Sequence, residues 1–488
     1  MKVIVIGAGV AGLATANRLK ALGLDVRVLE ANTYPGGKLT AFDQAGYRFD
    51  AGPSLFTMPD FLDDVFRFCK KDPREYYAYQ KLDVACHYFY ADGTFLCGYA
   101  DASNFAHEVE KKLGVSRESV IRYLLDSKKL YETTGRIFLE KPLNRLSTWL
   151  SKPVMKALTY IPRMGLFQTL NEFNESKLAH PKLVQLFNRY ATYNGSDPYR
   201  APGILSSIPN LEFNVGTFLP EGGMHTITQA LVKLAVDQGV TIQYNTPVAE
   251  ILVKGHKVYG VRTGEEEIQA DWVVSNMDVL YTYRKLLPTH PAPERKLNQE
   301  RSSSALIFYW GIKHTFPQLD LHNIFFSSDY RKEFNTIFQE KTIPDDPTVY
   351  INITSKYIKA DAPEGCENWF VMINVPPDEG QDWDNLIAKA RITIKRKLSR
   401  LLHVDIDSVI ENESILDPRS IQSKTQSFQG SLYGTSSNSR YAAFLRHTND
   451  SAIKNLYFCG GSVHPGGGIP LCLQSARIVT AHIENTLC

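Results

Sequence analysis

The chain has 488 residues, 43% of them apolar and 22% charged, with a net charge of +2, the profile of a globular protein long enough for two or three domains without a metal or disulfide staple. Near-neutrality, with no acidic tail or polybasic arm, argues against nucleic acid as a partner. Cys69, Cys86, Cys97, Cys366, Cys459, Cys472 and Cys488 are scattered without CxxC or Cys/His spacing, so no metal site is expected and a reducing compartment fits best.

The apolar run Val3-Ile4-Val5-Ile6 leads straight into a glycine motif, so the N-terminus reads as a strand rather than a signal peptide. No apolar run approaches the roughly 18 residues of a spanning helix. Residues 2–6 read as a buried strand, 10–22 as a helix and 25–29 as a second strand, a βαβ opening. From about 60 to 205 the pattern is mostly helical and aromatic. A glycine-rich turn near 216 then precedes a helix over 226–237 and a strand-rich stretch to 274. Residues 288–435 mix strands, such as 305–310, with polar loops. The last fifty residues give a strand, a glycine loop and a helix over about 470–484.

The first motif is Gly7-Ala8-Gly9-Val10-Ala11-Gly12, set between the first strand and first helix, with Glu30 at the end of the second strand. Gly7 permits the tight turn, Gly9 lets backbone N–H groups approach a pyrophosphate, and Gly12 lets the helix pack closely on the strand. The helix N-terminus offers unpaired N–H donors and a positive dipole end to phosphates, while the Glu30 carboxylate can accept both ribose hydroxyls and disfavours a 2′-phosphate. The motif points to a dinucleotide but does not separate FAD from NAD. At the far end, Gly460-Gly461-Ser462 closes a strand. Gly466-Gly467-Gly468-Ile469-Pro470 then opens a helix, giving a backbone-lined pocket in which a flat ring can lie.

The run Glu30-Ala31-Asn32-Thr33-Tyr34-Pro35-Gly36-Gly37 resembles the flavin amine oxidase and carotenoid desaturase superfamily. In that family the paired glycines pass beside FAD; Lys38 stands where the family usually has Arg, keeping a charge for phosphate but losing the bidentate fork. Three further blocks resemble the bacterial-type phytoene desaturases: Gly46 to Ser54, including Gly52-Pro53-Ser54; Phe218 to Met224; and Gly460 to Pro470. Asn188-Arg189-Tyr190-Ala191-Thr192-Tyr193-Asn194-Gly195 is similar to the family's middle region. The wording of the last block is most like the branch that acts as 3,4-desaturases of hydroxy- and methoxycarotenoids.

The resemblance implies an α/β fold with a Rossmann-like FAD-binding domain in three pieces, 1–75, 211–287 and 436–488. A helical, membrane-facing substrate region over 76–210 and a mixed substrate domain over 288–435 would interrupt it. It implies FAD as cofactor, adenine near Val248, and desaturation of an acyclic or monocyclic carotenoid. Multi-step phytoene desaturation, flavin-dependent isomerisation and non-catalytic prenyl binding on the same scaffold remain alternatives. Removing hydrogen from a hydrocarbon starts from no acidic proton, so hydride loss to the flavin is the difficult act and the protein mainly positions substrate. No catalytic constellation stands out; His464 is the nearest titratable candidate, with a loop-fixing hydrogen bond as its alternative. Between 141 and 171 lie Lys141, Arg145, Lys152, Lys156 and Arg163 with no acid, interleaved with apolar residues. That pattern suits either an anionic lipid surface or the roof of a substrate tunnel. The corresponding location is cytoplasmic, peripheral to the inner face of a membrane.

Overall fold

The computed structural model describes residues 1–140, 165, 167–439 and 442–487. The basic residues of the expected membrane segment, from Lys141 to Arg163, lie outside these described residues. Among the described residues no helix is long and apolar enough to cross a membrane.

The first strand forms at Lys2–Ile6 and the second at Asp25–Leu29, joined by a helix over Val10–Ala21. Both strands belong to a five-stranded parallel sheet assembled from distant parts of the chain. Its order is Leu456–Phe458, Trp272–Ser275, Lys2–Ile6, Asp25–Leu29 and Thr241–Gln243. Side chains alternate across a strand, so Val3 and Val5 face one way, into a core built with the helices Val10–Ala21, Thr226–Asp237 and Ile469–Leu487. Ile4 and Ile6 face the other, against Ile251, Val258 and Val261 of a three-stranded antiparallel sheet. Burial on both faces is why the first strand reads as an unbroken apolar run.

A second, seven-stranded sheet runs Ile410–Leu416, Ser304–Ile312, Glu367–Val375, Val349–Asn352, His322–Phe325, Val84–Phe89 and Phe95–Tyr99. Alternation again separates two faces. Leu306, Phe308, Trp310, Trp369 and Val371 pack with the helix Trp383–Leu402. Ala305, Ile307, Tyr309, Phe370, Met372 and Tyr350 line a cavity on the other side.

The last two strands correct the helical reading of this stretch. Val84–Phe89 forms an antiparallel hairpin with Phe95–Tyr99 and pairs in parallel with His322–Phe325, more than 230 residues away in the chain. The remainder of the region is helical, with Ala102–Leu113, Arg117–Glu140, Leu170–Lys177 and Pro181–Asn188. Its core is aromatic, built on Phe105, Phe187, Tyr190 and Phe213.

Candidate active site

The glycine turn is held by its own backbone. Gly7 donates to the Leu29 carbonyl (2.8 Å), and Gly36 donates to Ala8 (2.8 Å), which lays the paired-glycine loop across the first turn. A Cβ on Gly12 would stand 2.1 Å from the Gly7 carbonyl oxygen, so only glycine permits the helix to start this close to the strand. The helix is preceded by Gly9, which has no side chain to cap it, leaving the first N–H groups to whatever lies in front.

Glu30 is buried, and its carboxylate accepts from the backbone N–H of Ala8 (2.7 Å) and of Asn32 (2.8 Å). The acid braces the turn, and each oxygen keeps acceptor capacity for a further donor. Ala31 follows it. Thr246 donates to the Glu30 carbonyl at 2.8 Å, which brings the 246–248 segment beside the acid; Val248 itself is half-buried against the apolar cluster under the three-stranded sheet.

Two of the family-like blocks meet at Asp50. Its carboxylate accepts from the N–H groups of Met224 (2.8 Å) and His225 (3.0 Å) and from Arg48 (2.9 Å). This ties the loop carrying Gly52, Pro53 and Ser54 to the start of the helix Thr226–Asp237. The C-terminal block is fastened from beneath by Arg446, which donates to the carbonyls of Tyr433 (2.9 Å), Gly461 (3.0 Å) and Thr435 (2.7 Å). Burial pushes this guanidinium down to about 10. Ser462 accepts from Val279 N–H at 3.0 Å, and Gly460 donates to Ser475 at 3.1 Å.

All of these loops border one cavity of about 930 Å³. Gly9, Val10, Ala11, Gly36, Gly37 and Lys38 line it from the N-terminal block; Gly52, Pro53 and Ser54 from the second; Gly460, Gly461, Ser462, Gly468, Ile469 and Pro470 from the last. Gly7, Ala8, Gly12, Glu30, Ala31 and Val248 are not part of that lining. The Lys38 ammonium donates to the carbonyls of Ser431 and Leu432, each at 2.9 Å, and keeps a third N–H. Burial there pushes it down to about 8.

His464 is buried and does not line the cavity. Its N–H donates to the His447 carbonyl and its own carbonyl accepts from Asn449, so the backbone at this position fixes the loop. Gly467 packs against Tyr433, whose Cα would be 2.8 Å from an added Cβ, whereas Gly468, at φ +100°, would meet nothing within 4 Å. A bare glycine face, two helix N-termini and a pyrophosphate-ready turn around one cavity fit a flat dinucleotide.

One corner of the cavity is polar. Arg189 and Glu212 form a buried pair at 2.9 Å, and the hydroxyls of Tyr190 and Tyr193 also donate to Glu212. His322 and Tyr350 meet at 2.8 Å beside Ser54, which lies 2.7 Å from the Tyr350 hydroxyl. These residues come from three remote segments, so no local motif could have announced them; the one signal was the family-like stretch from Asn188 to Gly195.

A family model described as flavin-containing amine oxidoreductase matches residues 10–483. A 1-hydroxycarotenoid 3,4-desaturase from Flavobacterium sp. (strain P99-3) is 52% identical over 486 residues, 99% of each chain. A 4,4′-diapolycopene oxygenase from Methylomonas sp. is 34% identical over 497 residues, covering all of this chain and 98% of that one. Among solved structures, an oxidoreductase from Methanosarcina mazei shares the fold, with a TM-score of 0.63 at 15% identity over 99% of this chain and all of that one.

Proposed function

Because the chain belongs to the flavin-containing amine oxidoreductase family and is an FAD-dependent oxidoreductase, we propose that its substrate is a 1-hydroxycarotenoid and its product the 3,4-desaturated polyene. The observation that carries this reading is the end-to-end likeness to the Flavobacterium desaturase. The cavity supports it: Ile307, Tyr309, Phe370 and Met372 form a continuous apolar and aromatic wall suited to a rigid hydrocarbon.

In this reading FAD, when bound, supplies the two-electron acceptor that a hydrocarbon requires. The glycine turn and the first helix N-terminus hold its pyrophosphate, Glu30 its ribose, and the Val248 region its adenine. Gly460 to Pro470, held by Arg446, form the floor of the ring site. The sheet wall orients the polyene and keeps water out. His464 is left as a loop-fixing residue, and no side chain is assigned proton removal.

A carotenoid is nearly insoluble in water, so substrate delivery from a bilayer suits this reading. The basic, apolar stretch within 141–171 would hold the protein at the inner face of a membrane; Phe167, on its described flank, is 79% exposed. The test is incubation of flavin-loaded protein with 1-hydroxycarotenoid in liposomes, followed by mass and absorption of the product. A loss of two hydrogens with a red-shifted spectrum supports the reading. Gain of oxygen, or isomerisation at constant mass, overturns it.

A further inference from the structure

We propose that a second, smaller cavity, walled off from the main one by Tyr330, is the subsite for the unreacted end of the polyene, a proposal that rests on the carotenoid reading above and deepens it. This cavity holds about 400 Å³. It lies between the helices Leu170–Lys177 and Pro181–Asn188 and the segment from Ser328 to Arg331.

Substrate length calls for such a subsite. A carotenoid main chain of about thirty carbons, advancing about 1.1–1.2 Å per bond, is roughly 33 Å long, and conjugation keeps it straight. A compact chain of 488 residues has a radius of about 30 Å. With one end at an enclosed flavin, the polyene therefore needs a lined path across about half the width of the molecule. Volume points the same way. A cavity of about 300–1,000 Å³ houses one ligand of ordinary size, whereas the main cavity, at about 930 Å³, has to take a dinucleotide as well as the reacting end.

The partition between the two cavities is thin. Tyr330 lines both of them. Arg189 lines the main cavity, and its chain neighbour Asn188 lines the second. Ser328 lines the second cavity, while the N–H of Ser327, just before it, donates at 3.1 Å to Thr348 Oγ1, whose residue lines the main one. At each of these places one or two residues separate the spaces. The Tyr330 ring stands edge-on to Phe326, with centroids 5.9 Å apart, and to Phe334 at 4.9 Å. Such aromatic contacts are of a kind that the π-system of a polyene lying alongside can replace.

The lining of the second cavity suits a hydrocarbon end that reaches the surface. Leu178, Val184 and Tyr330 give it a buried apolar floor, and Glu175, Ala179, Pro181, Ser328 and Arg331 form an exposed rim. The buried amide of Asn188 is already engaged, donating to Asn171 Oδ1 at 2.8 Å and accepting from Asn174 Nδ2 at 2.9 Å. A hydrocarbon beside it therefore breaks no hydrogen bond.

The test places a photoreactive diazirine on the far end of a 1-hydroxycarotenoid, irradiates it on the flavin-loaded protein and maps the labelled residues by peptide mass. Label should fall in the second cavity, at Leu178, Ala179 or Val184. Label at Gln44 or Lys424, which line the main cavity, overturns the subsite but not the carotenoid reading. A second measurement compares kcat/KM for the full-length substrate with that for an analogue of half its length bearing the same hydroxylated end, in wild type, Tyr330→Trp and Ala179→Trp, all in identical liposomes. Filling the passage should lower the long-to-short ratio by about tenfold or more. A structural role lowers both rates together, so a ratio within about threefold of wild type refutes the subsite. Should Tyr330→Trp fail to retain flavin, Ala179→Trp, at an exposed position, decides the matter alone. Wild type that converts neither substrate refutes the carotenoid reading, and the subsite with it.

Discussion

Glu30 holds the glycine turn and, in the proposed cofactor site, the ribose, so its replacement should be felt first in cofactor affinity. In Glu30→Gln the side chain keeps its shape but loses its charge, and only one of its two ends still accepts. One of the two N–H donors, Ala8 at 2.7 Å or Asn32 at 2.8 Å, then faces an amide NH2. Hydrogen bonds to a charged acceptor contribute about 1.5–3 kcal/mol each, and a buried donor left unpaired costs a similar amount, so the total penalty is about 2–4 kcal/mol. The apoprotein can relax this local turn, whereas a bound pyrophosphate requires it. Most of the cost should therefore appear as weaker FAD binding, about 30- to 1,000-fold in Kd. Quenching of FAD fluorescence on titration gives Kd, and a thermal melt of the apoprotein reports the fold separately. A Kd within about threefold of wild type would refute both the brace and the ribose assignment.

Gly467→Val would put a branched side chain into the Tyr433 backbone, 2.8 Å from its Cα; the purified variant should keep part of its flavin spectrum and give no desaturated product, and full product yield would disprove that placement of the loop. Burial pushes His322 and His447 down to about 4. The folded chain then binds fewer protons than the unfolded chain between about pH 4 and 6.5, and stability should fall as pH drops through that window. The urea midpoint should decline from pH 7 to 4.5, less steeply in His447→Gln; a midpoint independent of pH contradicts this. Changing Lys152, Lys156 and Arg163 to Glu should release the protein from anionic liposomes, with salt mimicking the effect in wild type; unaltered cosedimentation would reduce the segment to a tunnel roof.

The βαβ opening was legible almost to the residue because its signals are local: an unbroken apolar run, three spaced glycines and an acid at the next strand's end. The helix over 226–237 was equally clear. What local pattern could not reveal was pairing across the chain. Val84–Phe89 carried a local signal that was passed over, the Asp92-Gly93 turn of its hairpin with Phe95–Tyr99, but its parallel partner His322–Phe325 could not be read locally. Lys38 illustrates the same limit. Its place beside two glycines was plain, but the two carbonyls it meets, at Ser431 and Leu432, lie almost four hundred residues on. Within the C-terminal glycine loop, the left-handed positions are Gly466 and Gly468, while Gly467 is held by close packing against Tyr433. The polar corner was the least legible feature, since Ser54, Glu212, His322 and Tyr350 acquire meaning only once the two sheets enclose one cavity.

The central claim is that this chain uses bound FAD to take two hydrogens from a 1-hydroxycarotenoid, and a single turnover without oxygen tests it most directly. Flavin-loaded protein mixed anaerobically with one equivalent of substrate in liposomes should lose its oxidised-flavin absorbance near 450 nm as the product band of the longer polyene rises. The two changes should share one rate constant and one-to-one stoichiometry, and readmitted oxygen or another acceptor should restore the flavin band without consuming product. Formation of the longer polyene with the flavin band unchanged, or a bleached flavin with no new polyene, would contradict the account.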